Sequence, residues 1–421
     1  MRQVSPESPD IFDFIMELHR ACSGDWNTLV TECNILPEEL EAFLEYAGMF
    51  LCNLGNFYAI KKFVPDLTVE ALHKIAAISP TAKDGLEKII GPLLAVPPFS
   101  LDYPSKNAQS AYYPGTEPIS QQEIAKMSEV MEQYSIGPEN TRVRKLFEHG
   151  KPVYQLLQAS AETGVPNSTS QELADDIFAV KGDHAEELAK VCLALERAKE
   201  YAGNNKQTQL LSHYIECFRT GSLEAFQGAQ KAWVTDVAAR VEHLMGFIEP
   251  YRDPAGIRLE WETMVGIADP DEAARLKRLV ESSTAIIRQL PWAAEDVNDG
   301  KGPFETSLFE APDFTSVHVT QYEYIRETCG FKNVVLVNRL TANNNPQLPC
   351  YWVAPSELKF FKDTTHIVRF ITPAIHELLG HGTGKLPSET APGIYNFDEQ
   401  NLPISPISEK AVTSHYLPSQ T

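Results

Sequence analysis

Paired cysteines, long apolar runs and a surplus of positive charge are all missing from this chain. Seven cysteines are scattered through 421 residues with no CxxC pair among them. Dispersed thiols of this kind fit a reducing compartment and count against disulfide frameworks and cysteine-ligated zinc. No uninterrupted apolar stretch reaches membrane-spanning length. The amino end, MRQVSPESPDIFDF, has neither the apolar centre nor the small-residue cleavage site of a secretory signal. A cytoplasmic location is the expectation. With 36 Lys and Arg against 57 Asp and Glu, the formal charge is −21. Neither a phosphate backbone nor an anionic membrane surface would find clustered cations here, so no nucleic-acid or membrane partner is expected. The acidity either keeps a soluble protein apart by self-repulsion or favours cationic ligands such as the free amino end of a peptide.

The length and a hydrophobic content of 43% allow a substantial core and two or three domains. Helical spacing relates Ile11, Phe14, Ile15 and Leu18, and again Leu40, Phe43, Leu44, Ala47, Leu51 and Leu54, with Gly55 as a stop signal. Thr68 is placed to cap a third helix bearing Leu72, Ile75 and Ala76. Residues 91–120, rich in Pro, Ser and Tyr, read as irregular connection or short strand. β-compatible pieces in 137–170 suggest a small sheet or barrel. Helical patterns return at 184–202, 207–219, 222–247 and 272–289, and no solenoid repeat is present. The tail beyond Leu386 carries five prolines and little periodicity, as a long loop would. The fold class expected is α+β, predominantly helical.

The chemistry-bearing motif is His376-Glu377-Leu378-Leu379-Gly380-His381. Zinc peptidases usually place two histidines four apart on one helical face with a glutamate beside the first. Here the spacing is five, which turns the second imidazole by roughly 140° on an ideal helix. A one-residue widening of the helix would restore the common face, and Gly380 tolerates such a distortion. The apolar run Ile367–Ile371 leads into the motif and suggests a buried helix, in which unpaired polar groups would be costly. His376 and His381 are then candidate Zn2+ ligands, and Glu377 the candidate general base, taking a proton from the water that attacks a carbonyl. On spacing alone, hydrogen-bonded core histidines remain the alternative. Other histidines, such as His184, His213 and His415, read as surface or satisfied core residues.

Three segments resemble the dipeptidyl peptidase III family: HELLGHGTGKL at 376–386, GFIEPYRDPAGIRLEWE at 246–262 and GFKNV at 330–334. The background around 198–233 is similar too. The resemblance implies a cytosolic zinc exopeptidase that releases dipeptides from the amino end of short peptides, and a monomer is the expectation for its assembly. It implies a two-lobed fold, one lobe helical and metal-bearing, the other mixing helices with a small β-barrel. Residues 1–269 would form the mixed lobe, 270–312 a helical part of the zinc lobe, 313–346 a return to the barrel lobe, and 347–421 part of the zinc lobe. By the same resemblance Glu249 binds the substrate's ammonium group, Tyr251 touches the peptide near the scissile bond, and Glu262 lies nearby, with Glu260 the weaker candidate. A carboxylate facing an amine gives a charge-assisted hydrogen bond. Read without the family, Glu249 and Tyr251 belong to a turn before Pro254.

Three departures from the family pattern stand out. The family's third zinc ligand, a glutamate on a later helix, is absent from this chain, as is a later histidine that assists the transition state. A catalytic zinc normally has three protein ligands. Between Phe314-Thr315-Ser316 and Gly330-Phe331-Lys332 the family carries an extra segment with two peptide-binding asparagines. The amino end matches the family's interior. Truncation at both ends and an internal deletion, arising from a single incomplete or mis-spliced gene product, account for all three. Two readings follow: a zinc-dependent dipeptidyl peptidase of which this chain is an incomplete part, or an inactive peptidase-like module that binds peptides or a protein partner. A plain zinc endopeptidase fits the five-residue spacing poorly.

Overall fold

The structure, a computed structural model, describes residues 4–115, 117–163, 170–236, 239–247, 250–282, 353–375, 389–391 and 394–395, with Ala285, Ile325, Thr328, Cys329, Lys332 and Cys350 as isolated positions. The chain divides into two compact units. The first is Met1–Arg197, Tyr214–Phe226 and Met245–Thr263; the second is Ala198–His213, Gln227–Leu244 and Met264–Thr421.

In the first unit the helical stripes near the amino end become α1 (Ser8–Ala21), α2 (Asn27–Cys33), α3 (Pro37–Asn53), α4 (Val69–Ala76) and α5 (Pro80–Leu94). Ile11, Phe14, Leu18, Phe43, Phe50 and Ile75 meet in one buried cluster. Thr68 caps α4 as expected, its hydroxyl accepting from Ala71 N at 3.1 Å. The α3 stripe stops short: Leu51 and Leu54 are exposed. That helix ends at Asn53, with Leu54 itself in the left-handed region at φ 53°. Gly55 is needed for space, since a Cβ there would lie 2.5 Å from Val4 Cγ1.

The proline-rich stretch contributes two short strands, β3 (Ser100–Leu101) and β4 (Ala108–Gln109), to a four-stranded sheet with β1 (Phe57–Tyr58) and β2 (Lys61–Lys62). A second sheet has the order β5 (Thr141–Glu148), β6 (Lys151–Ala159), β8 (Ile177–Asp183), β7 (Ser170–Ala174). Its outer pairs are antiparallel and the central β6–β8 pair is parallel, with Tyr154 opposite Ile177. Helix α6 (Gln121–Gln133) lays Ile124, Met127 and Met131 on this sheet against Val143, Leu156 and Ile177. Among the described residues this sheet is open.

Helices α7 (Ala185–Lys199), α8 (Asn205–Thr220) and α9 (Leu223–Thr235) follow the predicted pattern, but 241–247 does not. There the expected continuation of helix is strand β9 (Val241–Phe247), paired with β10 (Trp261–Ile267). Positions 242–247 are all buried. A short run buried on both faces has no periodicity to separate strand from helix, and the partner strand decides. Gly246 accommodates the Phe226 ring, which a Cβ would strike. Helices α10 (Pro270–Glu281) and α11 (Leu358–Ile375) belong to the second unit, and the proline-rich tail holds a short antiparallel pair, β11 (Glu389–Ala391) and β12 (Ile394–Tyr395). The molecule is thus helix-rich α+β.

Candidate functional site

The segment following β9 folds around a single carboxylate. Asp253 is buried; its Oδ2 accepts from Ile257 N at 3.0 Å and Arg258 N at 2.7 Å, and its Oδ1 accepts from Ala255 N at 3.1 Å. An aspartate that takes the amides of the residues just after it makes its own turn. Gly256, at φ +66°, closes that turn by donating its N–H to Asp253 O at 2.9 Å. The turn expected before Pro254 is therefore present, beginning at Tyr251.

Distant side chains fix this turn in place. Tyr113 donates its hydroxyl to Asp253 Oδ1 at 2.8 Å and accepts from Arg258 Nη1 at 3.2 Å. The Arg258 guanidinium lies 5.4 Å from the Tyr113 ring centre, a cation–π arrangement, and Nη2 points at Met131 Sδ at 3.7 Å. Tyr103 stacks on Tyr113 and donates to Pro254 O at 3.2 Å. Burial, and after it the Asp253 carboxylate, push the Tyr113 hydroxyl up, while Arg258 pulls the other way. The phenol stays protonated and able to donate.

On this support Tyr251 is held at the surface, 62% exposed. Glu260 is buried and pairs through Oε2 with Arg252 Nη1 at 2.9 Å. Burial raises the Glu260 carboxyl, Arg252 lowers it and neighbouring Glu262 raises it again. Glu262 is half-buried one residue beyond Trp261, which donates its indole N–H to Thr263 Oγ1 at 2.9 Å. The structure thus places Tyr251, Glu260 and Glu262 on one pinned loop and strand. Glu249 lies outside the described residues.

The second unit carries a different buried charge. Lys332, from the GFKNV segment, is fully buried, 2.5 Å from Glu242 Oε1 and 2.6 Å from Asp236 O. It sits 5.4 Å from the Trp233 ring centre, and Trp233 Nε1 donates to Glu242 Oε2 at 3.1 Å. Burial pushes Glu242 up against the opposing pull of Lys332. His243 beside them is pushed down by burial and by Lys332. Neither this cluster nor the one around Asp253 follows from the sequence reading. The only signal for Asp253 was the Asp-Pro-Ala-Gly order of a turn; for Lys332 there was none beyond its place in a short motif.

Among the described residues, helix α11 runs as far as Ile375, the residue before the histidine-glutamate motif. His376, Glu377 and His381 lie outside the described residues. The approach to the motif is not buried as expected: Ile367, Val368, Ile371 and Ile375 are 43–55% exposed. With Phe360 they form one stripe at helical spacing. Apolar sequence identifies such a stripe but not what covers it, so burial of the helix gives no support to a metal here. Among the described residues no group of three or more His, Cys, Asp or Glu could hold a metal ion.

The sequence profile of peptidase family M49 matches residues 86–421. Dipeptidyl peptidase 3 of Dictyostelium discoideum is 32% identical over 97% of the chain, and that of Homo sapiens 31% identical over 100%. The protein of the same name from Rattus norvegicus is 32% identical over 100% of the chain. The chain spans 60% of the length of each of these curated relatives. Among solved structures, DPP III from Caldithrix abyssi superposes with a TM-score of 0.41 at 15% identity, covering 80% of this chain and 56% of that one. Dipeptidyl-peptidase III from Corallococcus sp. strain EGB gives 0.47 at 18%, covering 76% and 58%.

Proposed function

From the membership of this chain in peptidase family M49, to which it belongs, we propose that it is part of a zinc-dependent exopeptidase releasing dipeptides from the amino end of short peptides. The observation that carries the reading is the match of the family profile over residues 86–421. In this reading Glu249 receives the peptide's ammonium group, Tyr251 contacts the backbone near the scissile bond, and Glu262 stands close by. Asp253 and Arg258 act through Tyr251, holding its loop to Tyr113. His376 and His381 would hold the metal; imidazole nitrogen is a good zinc donor, so the donor chemistry fits, with a third protein ligand still to be supplied. When bound, zinc supplies Lewis-acid polarisation of the carbonyl. Glu377 takes the proton of the attacking water and passes it toward the leaving amine.

The same reading carries a cytoplasmic location, a monomer and the two-lobed family architecture with a small β-barrel. It also carries the division into 1–269, 270–312, 313–346 and 347–421. The alternative, an inactive peptide- or protein-binding module, is favoured by the shortened stretch between Ser316 and Gly330.

Zinc content and dipeptide release, measured on the 421-residue chain after dialysis, separate the two. About one retained zinc per chain, with dipeptides released only from a free amino end, supports the peptidase. Glu377→Ala should then abolish turnover and keep the metal, while His376→Ala should lose it; turnover surviving in Glu377→Ala defeats the general-base role. Peptide binding without zinc or cleavage supports the alternative.

A further inference from the structure

The loop that carries Tyr251 is fastened at its tip and at its base. The tip anchors all fall within residues 253–258. Asp253 gathers the amides of Ala255, Ile257 and Arg258, while Tyr113 and Tyr103 hold Asp253, Arg258 and Pro254 from the rest of the unit. At the base, Phe247 and Trp261 come from the paired strands β9 and β10 and meet edge to face, their centres 5.0 Å apart. Tyr251 lies between these two fastenings, on the leg that leaves β9. Glu262 lies just past the base on the other leg, in β10. Neither fastening by itself sets how far apart the two legs stand at Tyr251.

One contact crosses from leg to leg at that level. Arg252, the residue after Tyr251, donates from Nη1 to Glu260 Oε2 at 2.9 Å, eight residues on and two before Glu262. Both side chains are largely withdrawn from water, at 16% and 10% exposure, while Tyr251 between the fastenings stays in solvent. A charge pair in such a place resists separation, because parting it leaves each ion buried and uncompensated. Glu260 also has little left to offer a ligand: Oε2 is given to Arg252 and Oε1 is buried. Burial raises the Glu260 carboxyl most, Arg252 opposes that rise, and the charge of Glu262 adds to it. The two carboxylates therefore stand close enough to repel one another, and Arg252 is the cation that lets them do so.

We propose that Arg252 and Glu260 are positioning residues of the peptide site: their ion pair sets the separation of Tyr251 from Glu262, and Glu260 does not itself touch the peptide. The inference rests on the reading above, in which Tyr251 contacts the peptide with Glu262 close by. It divides the two glutamates of this segment, which the family resemblance left as a stronger and a weaker candidate for the same task. Glu260 acts through Arg252 on Tyr251, and Glu262 is the one left beside the peptide.

The test is calorimetric titration of tetraalanine into the 421-residue chain and its variants, with hydrogen exchange across residues 250–262 measured without peptide. Glu260→Gln should weaken binding about fivefold, the worth of one misplaced hydrogen bond, and speed exchange across that segment. Arg252→Met should do the same. The two changes together should cost no more than either alone, since the residues act as a unit. Arg252→Lys should recover most of the affinity, because the contact runs through one nitrogen and not through a bidentate fork. Three results overturn the proposal. Weaker binding in Glu260→Gln with unchanged exchange would mean that Glu260 meets the peptide directly, and tighter binding in Arg252→Met would mean the same. A lowered Tm with unchanged affinity would make the pair structural only. Glu249→Gln tests the reading beneath: if the wild-type chain binds and this variant binds equally well, the peptide lies elsewhere, and reading and proposal fall together. They fall together as well if the wild-type chain does not bind.

Discussion

Each of the two units buries a charge, and the two are satisfied in opposite ways. In the first unit, Asp253 draws three of its hydrogen bonds from backbone amides within five residues and adds one long-range partner, Tyr113. In the second, Lys332 takes its partners from Glu242, Asp236 and Trp233, all far earlier in the chain. A charge that gathers its own local amides remains partly solvated by the backbone whatever happens elsewhere. A charge satisfied only at long range has nothing to fall back on. The contrast predicts unequal sensitivity at sites that are both nearly inaccessible to water.

The largest effect is expected at Lys332. Lys332→Met strands the Glu242 carboxylate in a dry site and should lower stability by ~3–5 kcal/mol in urea unfolding. Adding Glu242→Leu should recover most of the loss, because the uncompensated charge is gone. Asp253→Asn comes next. It keeps one amide oxygen for the local turn but loses the second oxygen, to which Tyr113 and Ala255 donate, and ~1–3 kcal/mol is expected from the same measurement. Equal losses in the two single variants would mean that burial alone, rather than sequence separation of the partners, sets the cost.

Glu123 is an intermediate case, capping α6 locally through Ser120 while taking Lys145 and Tyr154 from the sheet. Burial pushes its carboxyl up, but these hydrogen bonds outweigh that and bring it to about 2, below its ordinary value of 4.5. As pH falls the unfolded chain takes up this proton first. The stabilisation is therefore complete above 4.5 and disappears on the way down to about 2. Glu123→Gln should flatten the stability profile over that window and leave its shape at neutral pH unchanged; a profile that stays steep would assign the acid sensitivity to other groups. The smallest effect belongs to a purely local contact. Thr68→Ala should cost about 1 kcal/mol through the lost cap of α4, read as a small downward shift in Tm.

The same division between local and distant explains what could be read from sequence. The stripe of Ile11, Phe14, Ile15 and Leu18 and the Thr68 cap depend on neighbours three or four residues away, and both stand as expected. The run 241–247 is strand where its sequence suggests helix, because burial from both sides leaves no periodicity to tell the two apart. Tyr251 and Glu262 came from motif resemblance, yet the groups that fix their loop, Tyr103, Tyr113 and Met131, sit more than 120 positions earlier and carry no local mark. Lys332 was visible only as a letter in a short motif. Its chemistry exists only after the chain has folded back on itself.

The partners of Lys332 also set a schedule for synthesis. Asp236 leaves the ribosome 96 residues before the lysine that will cap its carbonyl. At translation rates of ~5–20 residues per second, the Glu242 carboxylate and the Trp233 indole wait ~5–20 s for their cation. During that interval Glu242 and Trp233 lack the cation that they hold in the complete chain.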